Sequence, residues 1–331
     1  MKIRISAFLA MLLVFLAAAG CAGAEEMTKI TFCLDWTPNT NHTGIYAAQA
    51  LGYYREEGLD VEIVQPPENG AVLMCAAGQA QFAVDAQDTM AASLDLDEPL
   101  GVTAVAAILQ HNTSGILSRA EDGITSAKGL ENRIYATWDS PIELAMLQYC
   151  MEKEGSDFDT LRLVPNNITD EPAALSAHQI DAVWVFYGWS GINAELSGVD
   201  CGYWDFASLS EELDYYTPVI LANNDFLRDH PESARAFLRA TAKGYRYAKE
   251  NPEDAAEMLI AGDTTGALED ARELVFASQR WLTEQYFAES PTWGTIAPER
   301  WNRFYSWLYE KGLCKHDLTN TGFTNDYLPG E

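Results

Sequence analysis

The side chains in this sequence best suited to chemistry are aromatic, amide and carboxylate groups placed just after short apolar runs. Trp36 and Asn39 follow the run 30–34, Gln87 and Asp88 follow 81–84, Trp138 follows 133–137, and Tyr187 and Trp189 follow 182–185. Asn112 and Tyr216 stand just ahead of two further runs, 114–118 and 217–222. Loops at the carboxyl ends of strands carry ligand sites in α/β proteins. Aromatic faces can sandwich a flat heterocycle, each stacked pair adding about 0.5–1.5 kcal/mol beyond burial. A carboxylate such as Asp88 accepts hydrogen bonds from an exocyclic amine or a protonated ring nitrogen. The set suits capture of a flat, amine-bearing molecule. Structural roles compete for the same residues: Trp36 can plug a lobe, Asp88 can cap the helix that follows it, and Trp138 can brace the turn before Ser140. Trp184, inside an apolar run, reads as core, His111 as a hydrogen-bonded structural residue, and at most one of Tyr215 and Tyr216 faces a cleft.

Catalytic machinery does not emerge from the spacing. The five histidines (His42, His111, His178, His230, His316) lack HxxH or HExxH spacing, and there is no GxGxxG, P-loop or GxSxG. No catalytic residue, metal ligand or cofactor is assigned. Besides Cys21, five cysteines remain, an odd number without CxxC spacing; Cys33, Cys75 and Cys150 read as small buried hydrophobes.

The elements that must position the candidates alternate. Residues 30–34, 60–64 and 81–84 read as strands, with helices over 43–51, closed by Gly52, and over 70–77. The pattern recurs: the helix-to-strand stretch 71–84 is echoed by 173–185, each turning through a glutamine (Gln79, Gln179), and 133–137 supplies the strand upstream. Ser140-Pro141-Ile142-Glu143 is a capping box, so Glu143 reads as a cap rather than a ligand contact. The last third is helical, opening at Pro231, interrupted at Pro252, and resuming at Pro298 with Trp301, Phe304, Tyr305 and Leu308 as one apolar stripe ended by Gly312. The runs 114–118 and 217–222 are expected to carry the chain between two lobes as a two-segment hinge.

Composition narrows the class further. The chain has 331 residues with 21 basic and 49 acidic side chains, a formal charge of -28, which excludes a protein that must neutralise nucleic-acid phosphates. Lys2 and Arg4, the apolar run 7–19 and Gly20-Cys21 form an export signal over residues 1–20, too short for a membrane span. Cys21 after Ala18-Ala19-Gly20 reads as a lipidation site on a protein held at the outer face of the bacterial cytoplasmic membrane; the competing reading is simple cleavage near Ala24.

With these residues in view, a family resemblance appears. Leu34-Asp35-Trp36-Thr37-Pro38-Asn39, His42, Gly44-Ile45-Tyr46 and Gly52-Tyr53-Tyr54-Arg55-Glu56-Glu57-Gly58, with the segment 110–115, Ala222-Asn223-Asn224-Asp225-Phe226-Leu227 and the closing 325–329, resemble the thiamine-pyrimidine-synthase-like and alkanesulfonate-binding group of substrate-binding proteins. The resemblance implies an α/β, two-lobed type II periplasmic-binding-protein fold with doubly wound lobes. Lobe 1 is expected over 28–115 plus 220–331 and lobe 2 over 116–219. It also implies delivery to ABC permease subunits, and the closest likeness is to bacterial lipoproteins that bind formylaminopyrimidine. The group also contains fungal synthases that use pyridoxal phosphate held by a Lys, a sacrificial His and a cysteine-rich motif. Here the matching stretches read Asp85-Ala86-Gln87-Asp88-Thr89-Met90 and Leu213-Asp214-Tyr215-Tyr216-Thr217, so no enzyme activity is expected. The Glu that the formylaminopyrimidine binders carry after the second-lobe aromatic pair is replaced by Ser190-Gly191-Ile192, so a carboxylate must come from elsewhere or the ligand is a different heterocycle. The candidate set contains no Arg for a sulfonate.

Overall fold

A computed structural model describes residues 27–330; the export signal and Cys21 lie outside the described residues. Strands β1 (Thr28–Cys33), β2 (Leu59–Val64), β3 (Phe82–Asp85) and β4 (Val102–Ala107) alternate with helices α1 (Thr43–Ala50), α2 (Ala71–Ala76) and α3 (Gln87–Leu94). The second set runs β5 (Ser114–Arg119), β6 (Ile134–Thr137), α4 (Pro141–Lys153), β7 (Arg162–Pro165), α5 (Glu171–Ser176), β8 (Ala182–Phe186), α6 (Ile192–Ser197) and β9 (Cys201–Asp205). Strand β10 (Val219–Asn223) follows, then α7 (Pro231–Glu250), α8 (Pro252–Gly262), α9 (Arg272–Gln285) and α10 (Pro298–Glu310). Prolines open α7, α8 and α10, where a missing N–H costs nothing, and Gly52 and Gly312 end their helical stretches at φ 77° and 69°.

Two five-stranded sheets result, ordered β2-β1-β3-β10-β4 and β7-β6-β8-β5-β9. Both place the first strand of a repeat between its second and third, as the sequence echo anticipates, so the doubly wound, two-lobed architecture is present. The register fixes which ends meet. Strand β1 runs parallel to β3, and β10 runs antiparallel to both β3 and β4, so β4 ends on the side where β1 and β3 end. In the other sheet β5 is antiparallel to β8, which is parallel to β6, so β5 begins where β6 and β8 end. The crossing from β4 to β5 therefore leaves the carboxyl ends of one sheet and enters at the carboxyl ends of the other. Those two ends face each other.

The crossings themselves lie one step earlier than the runs that suggested them. Residues 114–118 and 219–222 are strands inside the second and first sheets, and the connecting segments are 108–113 and 206–218. Both runs are buried, so their peptide groups need ladder partners and cannot serve as open linkers.

Around the first sheet the core is aromatic. The Phe237 ring stacks on Phe82 at 4.0 Å, Tyr54 at 5.3 Å and Phe32 at 5.7 Å, tying α7 to the sheet. Helices α7 and α1 pass so closely that a Cβ on Gly244 would stand 2.0 Å from the Gly44 carbonyl oxygen. The expected stripe on α10 is buried at Trp301, Phe304, Tyr305 and Leu308. Cys33, Cys75 and Cys150 are buried and unpaired, and burial pushes their thiols up to about 11, 12 and 12. Among the described residues no helix is long and apolar enough to cross a membrane.

Candidate functional site

Short loops after β1 and β6, at corresponding places in the two lobes, each present an indole to solvent. Trp36 is 69% exposed and Trp138 is 53% exposed, whereas Trp293, Trp301 and Trp307 are buried. Exposing two large apolar rings at facing strand ends is what a site for a flat ligand requires. The loop carrying Trp36 is shaped locally. Asn39 accepts a hydrogen bond from the Asn41 amide at 3.0 Å and donates to the Thr37 carbonyl at 3.1 Å, while His42, buried, bridges the Asn39 amide and Asp35 at 3.2 and 2.8 Å. Asn39 therefore organises the turn that holds Trp36.

The loop carrying Trp138 is held by Glu143. This buried carboxylate accepts from the Tyr135 hydroxyl at 2.8 Å, the Thr137 hydroxyl at 2.9 Å and the Trp138 amide at 3.0 Å, and it closes the capping box with Ser140. The capping role read from the sequence is the one found. Below Trp138, with ring centroids 6.2 Å apart, Trp184 is buried as expected, but its indole N–H has no acceptor.

At the same strand end of lobe 1 as Trp36, the end of β3 and the first turn of α3 supply two acids. Asp88 is half-buried, and its Oδ1 is sealed from solvent without a hydrogen-bond partner; Asp85, at the last position of β3, leaves its Oδ2 in the same state. The other Asp85 oxygen accepts from Thr89. Burial, with the nearby charges of Asp88 and Asp35, raises the Asp85 carboxyl to about 7, against the hydrogen bonds that favour its ionised form. Burial likewise raises Asp88, opposed by helix-start amides and the neighbouring Tyr215 hydroxyl. A carboxyl oxygen cut off from water without a donor is costly, so a ligand donor there is favoured. Sequence reading missed Asp85. Its signal was an acid closing an otherwise apolar strand.

Three other candidates have structural work. Gln87 is fully buried: its amide donates to the Trp301 carbonyl at 2.8 Å and accepts from the Tyr216 amide at 3.0 Å. Tyr216 is fully buried too, its hydroxyl accepting from the Ala297 amide at 2.8 Å, so it braces α10 rather than facing the cleft. Asn112 is buried in the first crossing, donating to the Leu213 carbonyl at 2.9 Å and accepting from the Ser114 amide and hydroxyl at 2.9 and 2.6 Å. In each case an amide or phenol near a strand end was needed to satisfy buried backbone. His111 has the structural role expected of it, lying 2.8 Å from Asp214 and 2.7 Å from Glu289.

Tyr187 and Trp189 lie in the turn after β8, where lobe 2 touches lobe 1. Tyr187 lines a cavity of about 460 Å³ with Tyr203, Trp281 and His111, and its hydroxyl donates to Glu195. Trp189, half-buried, packs against the helical core of lobe 1. The intervening Gly188 carbonyl accepts from Ser278 of α9, whose hydroxyl also lies 2.6 Å from that of Thr40. Among the described residues no cluster of three His, Cys, Asp or Glu could hold a metal ion.

Comparison with known proteins places the chain and its fold. A curated relative, the formylaminopyrimidine-binding protein of Halalkalibacterium halodurans, is 27% identical over 91% of this chain and 92% of its own. The 4-amino-5-hydroxymethyl-2-methylpyrimidine phosphate synthase THI11 of Saccharomyces cerevisiae is 28% identical over 68% of each chain. Among solved structures, the sulfonate ABC transporter periplasmic sulfonate-binding protein SsuA from Methylobacillus flagellatus superposes with a TM-score of 0.66 at 17% identity, covering 92% of this chain and 93% of that one. That likeness carries the two-lobed periplasmic-binding-protein fold. The description NMT1/THI5 like matches residues 39–255. The chain belongs to the NMT1/THI5-like family.

Proposed function

We propose that this protein is the solute-binding subunit of an ABC importer and that it captures a thiamine-precursor aminopyrimidine of the formylaminopyrimidine type between its lobes. The observation that carries the reading is the pair of sealed, unpartnered carboxyl oxygens on Asp85 and Asp88, at the lobe-1 strand ends that also carry the exposed Trp36 and that face those carrying the exposed Trp138. An aminopyrimidine brings N–H donors for the acids and a flat face for the rings. The similarity to a formylaminopyrimidine-binding protein along nearly all of both chains supports the same ligand class. Asp85 and Asp88 take the place of the carboxylate that Ser190-Gly191-Ile192 does not supply.

In this reading Cys21 carries a lipid that holds the body at the outer face of the cytoplasmic membrane, closure about the crossings 108–113 and 206–218 traps the ligand, and the closed form docks on permease subunits. The reading involves no chemistry on the ligand, in keeping with a stretch 85–90 that carries neither a Lys nor a His. Two measurements test this. Native mass spectrometry of protein purified without refolding is expected to release an aminopyrimidine, and Cys21→Ser is expected to shed the protein from the membrane. A sulfonate in the released fraction, or an imine absorbance band on adding pyridoxal phosphate, contradicts the reading.

A further inference from the structure

The lobe-1 wall of the cleft is unusual in its charge. Asp85 and Asp88 each leave a sealed oxygen without a donor. Their charged and ionisable neighbours are Asp35 from the loop after β1, Thr89-bonded Asp85 and Asp88 themselves, Tyr215 from the second crossing and Tyr305 from α10; none is a lysine or arginine. His42 lies 2.8 Å from Asp35, but among the described residues no ion pair reaches Asp85 or Asp88 themselves. On the lobe-2 wall, Trp138 offers an exposed ring, and the Trp184 N–H beneath it, 5% exposed, has no acceptor.

We infer that the cleft selects a flat cation bearing two adjacent N–H donors, an amidinium-type edge, and that its capture expels a proton from the Asp85/Asp88 pair. The inference rests on the cleft named above as the ligand site and specifies the charge state of what enters it. Two ionised carboxylates three positions apart across the start of α3, each with an unpartnered oxygen and no ion-pair partner, repel, and a proton held by the empty site neutralises one of them. A cation with paired donors removes the reason for holding it: the carboxyl O–H breaks, the proton leaves to solvent, and the two N–H groups take the freed oxygens. A neutral ring with one donor satisfies one acid and leaves the other protonated. The Asp85 carboxyl, raised to about 7 by burial first and by Asp88 and Asp35 after it, is poised to make this exchange near neutral pH.

Benzamidine, a permanently charged flat amidinium, is the probe. Titrated into the mature protein and followed by indole fluorescence and calorimetry, it is expected to bind about tenfold more tightly at about pH 8 than at about pH 6, because a carboxyl titrating near 7 competes for protons over that interval. Heats are expected to differ between Tris and phosphate, reporting proton release. Asp85→Asn and Asp88→Asn, checked for folding by thermal melting, are expected to weaken binding about tenfold or more and to flatten the pH profile. Failure of benzamidine to bind the wild-type protein, or binding with the same affinity at both pH values and the same heat in both buffers, overturns the inference. The parent reading is judged separately. Formylaminopyrimidine that binds with no pH dependence keeps the ligand assignment and sinks the proton exchange, whereas benzamidine binding without formylaminopyrimidine binding does the reverse.

Discussion

The hydroxyl of Ser278, on a lobe-1 helix, donates its hydrogen to the carbonyl oxygen of Gly188 in the turn after β8 of lobe 2. Ser278 is fully buried and sits 2.6 Å from the Thr40 hydroxyl, so the loop after β1, helix α9 and the lobe-2 turn are joined through one side chain. The two lobes are in contact at the strand ends where the ligand is proposed to sit.

Ser278→Ala is therefore expected to loosen closure. It leaves a buried carbonyl without its donor at a cost of about 1–3 kcal/mol, and part of that cost falls on the closed form alone. Ligand affinity is expected to drop several-fold in calorimetry, with scattering profiles of the ligand-bound protein moving toward a more open shape.

Glu143 positions Trp138 through the backbone amide and fills the hydrogen-bonding needs of Tyr135 and Thr137. Glu143→Ala is expected to destabilise by about 2–4 kcal/mol, because several buried donors lose their acceptor at once. Trp138→Ala, by contrast, removes a ring that is 53% exposed and is expected to leave the melting temperature nearly unchanged while weakening ligand binding about tenfold. Comparing melting curves with binding isotherms separates the two roles.

The fold was legible in the sequence because its signals are local. The echo of 71–84 in 173–185, the capping box at Ser140-Glu143 and the prolines at 231, 252 and 298 each specify an element without help from distant residues. The site was less legible. Trp36, Trp138 and Asp88 were singled out because they follow strands, but Gln87 follows one too and Asn112 and Tyr216 lead into strands, and only tertiary packing decides which polar groups serve buried backbone. Gln87 meets Trp301 across 214 positions of sequence, a partner no local pattern can announce. Thr40 and Ser278, 238 positions apart, escaped for the same reason.

Close helix packing gives a sharp stability test. Gly244→Ala places a methyl 2.0 Å from the Gly44 carbonyl and 2.9 Å from Ala48, both on α1. The helices must separate, at an expected cost of about 2–4 kcal/mol, read as a lowered denaturation midpoint.

The hinge carries a pH signature. His111 is raised above its ordinary 6.5, first by its hydrogen bond to Asp214, against its burial. Its stabilisation is fully present below that ordinary value and fades as pH rises through the raised one. Glu289 goes the other way: burial opposes ionisation, but Arg300 and His111 bring it from 4.5 down to about 2, so its contribution is present above 4.5 and lost as pH falls toward about 2. Denaturation midpoints are expected to fall on both sides of the interval between, and His111→Gln is expected to remove the decline on the alkaline side.

The central claim is that an aminopyrimidine is held by acids on one lobe and indoles on both. Calorimetric titration of formylaminopyrimidine into the mature protein, beside Asp88→Asn and Trp36→Ala, tests it most directly. The account predicts one site per chain, with affinity reduced about tenfold or more in each variant. No heat with the wild-type protein, or equal affinity in all three, would contradict it.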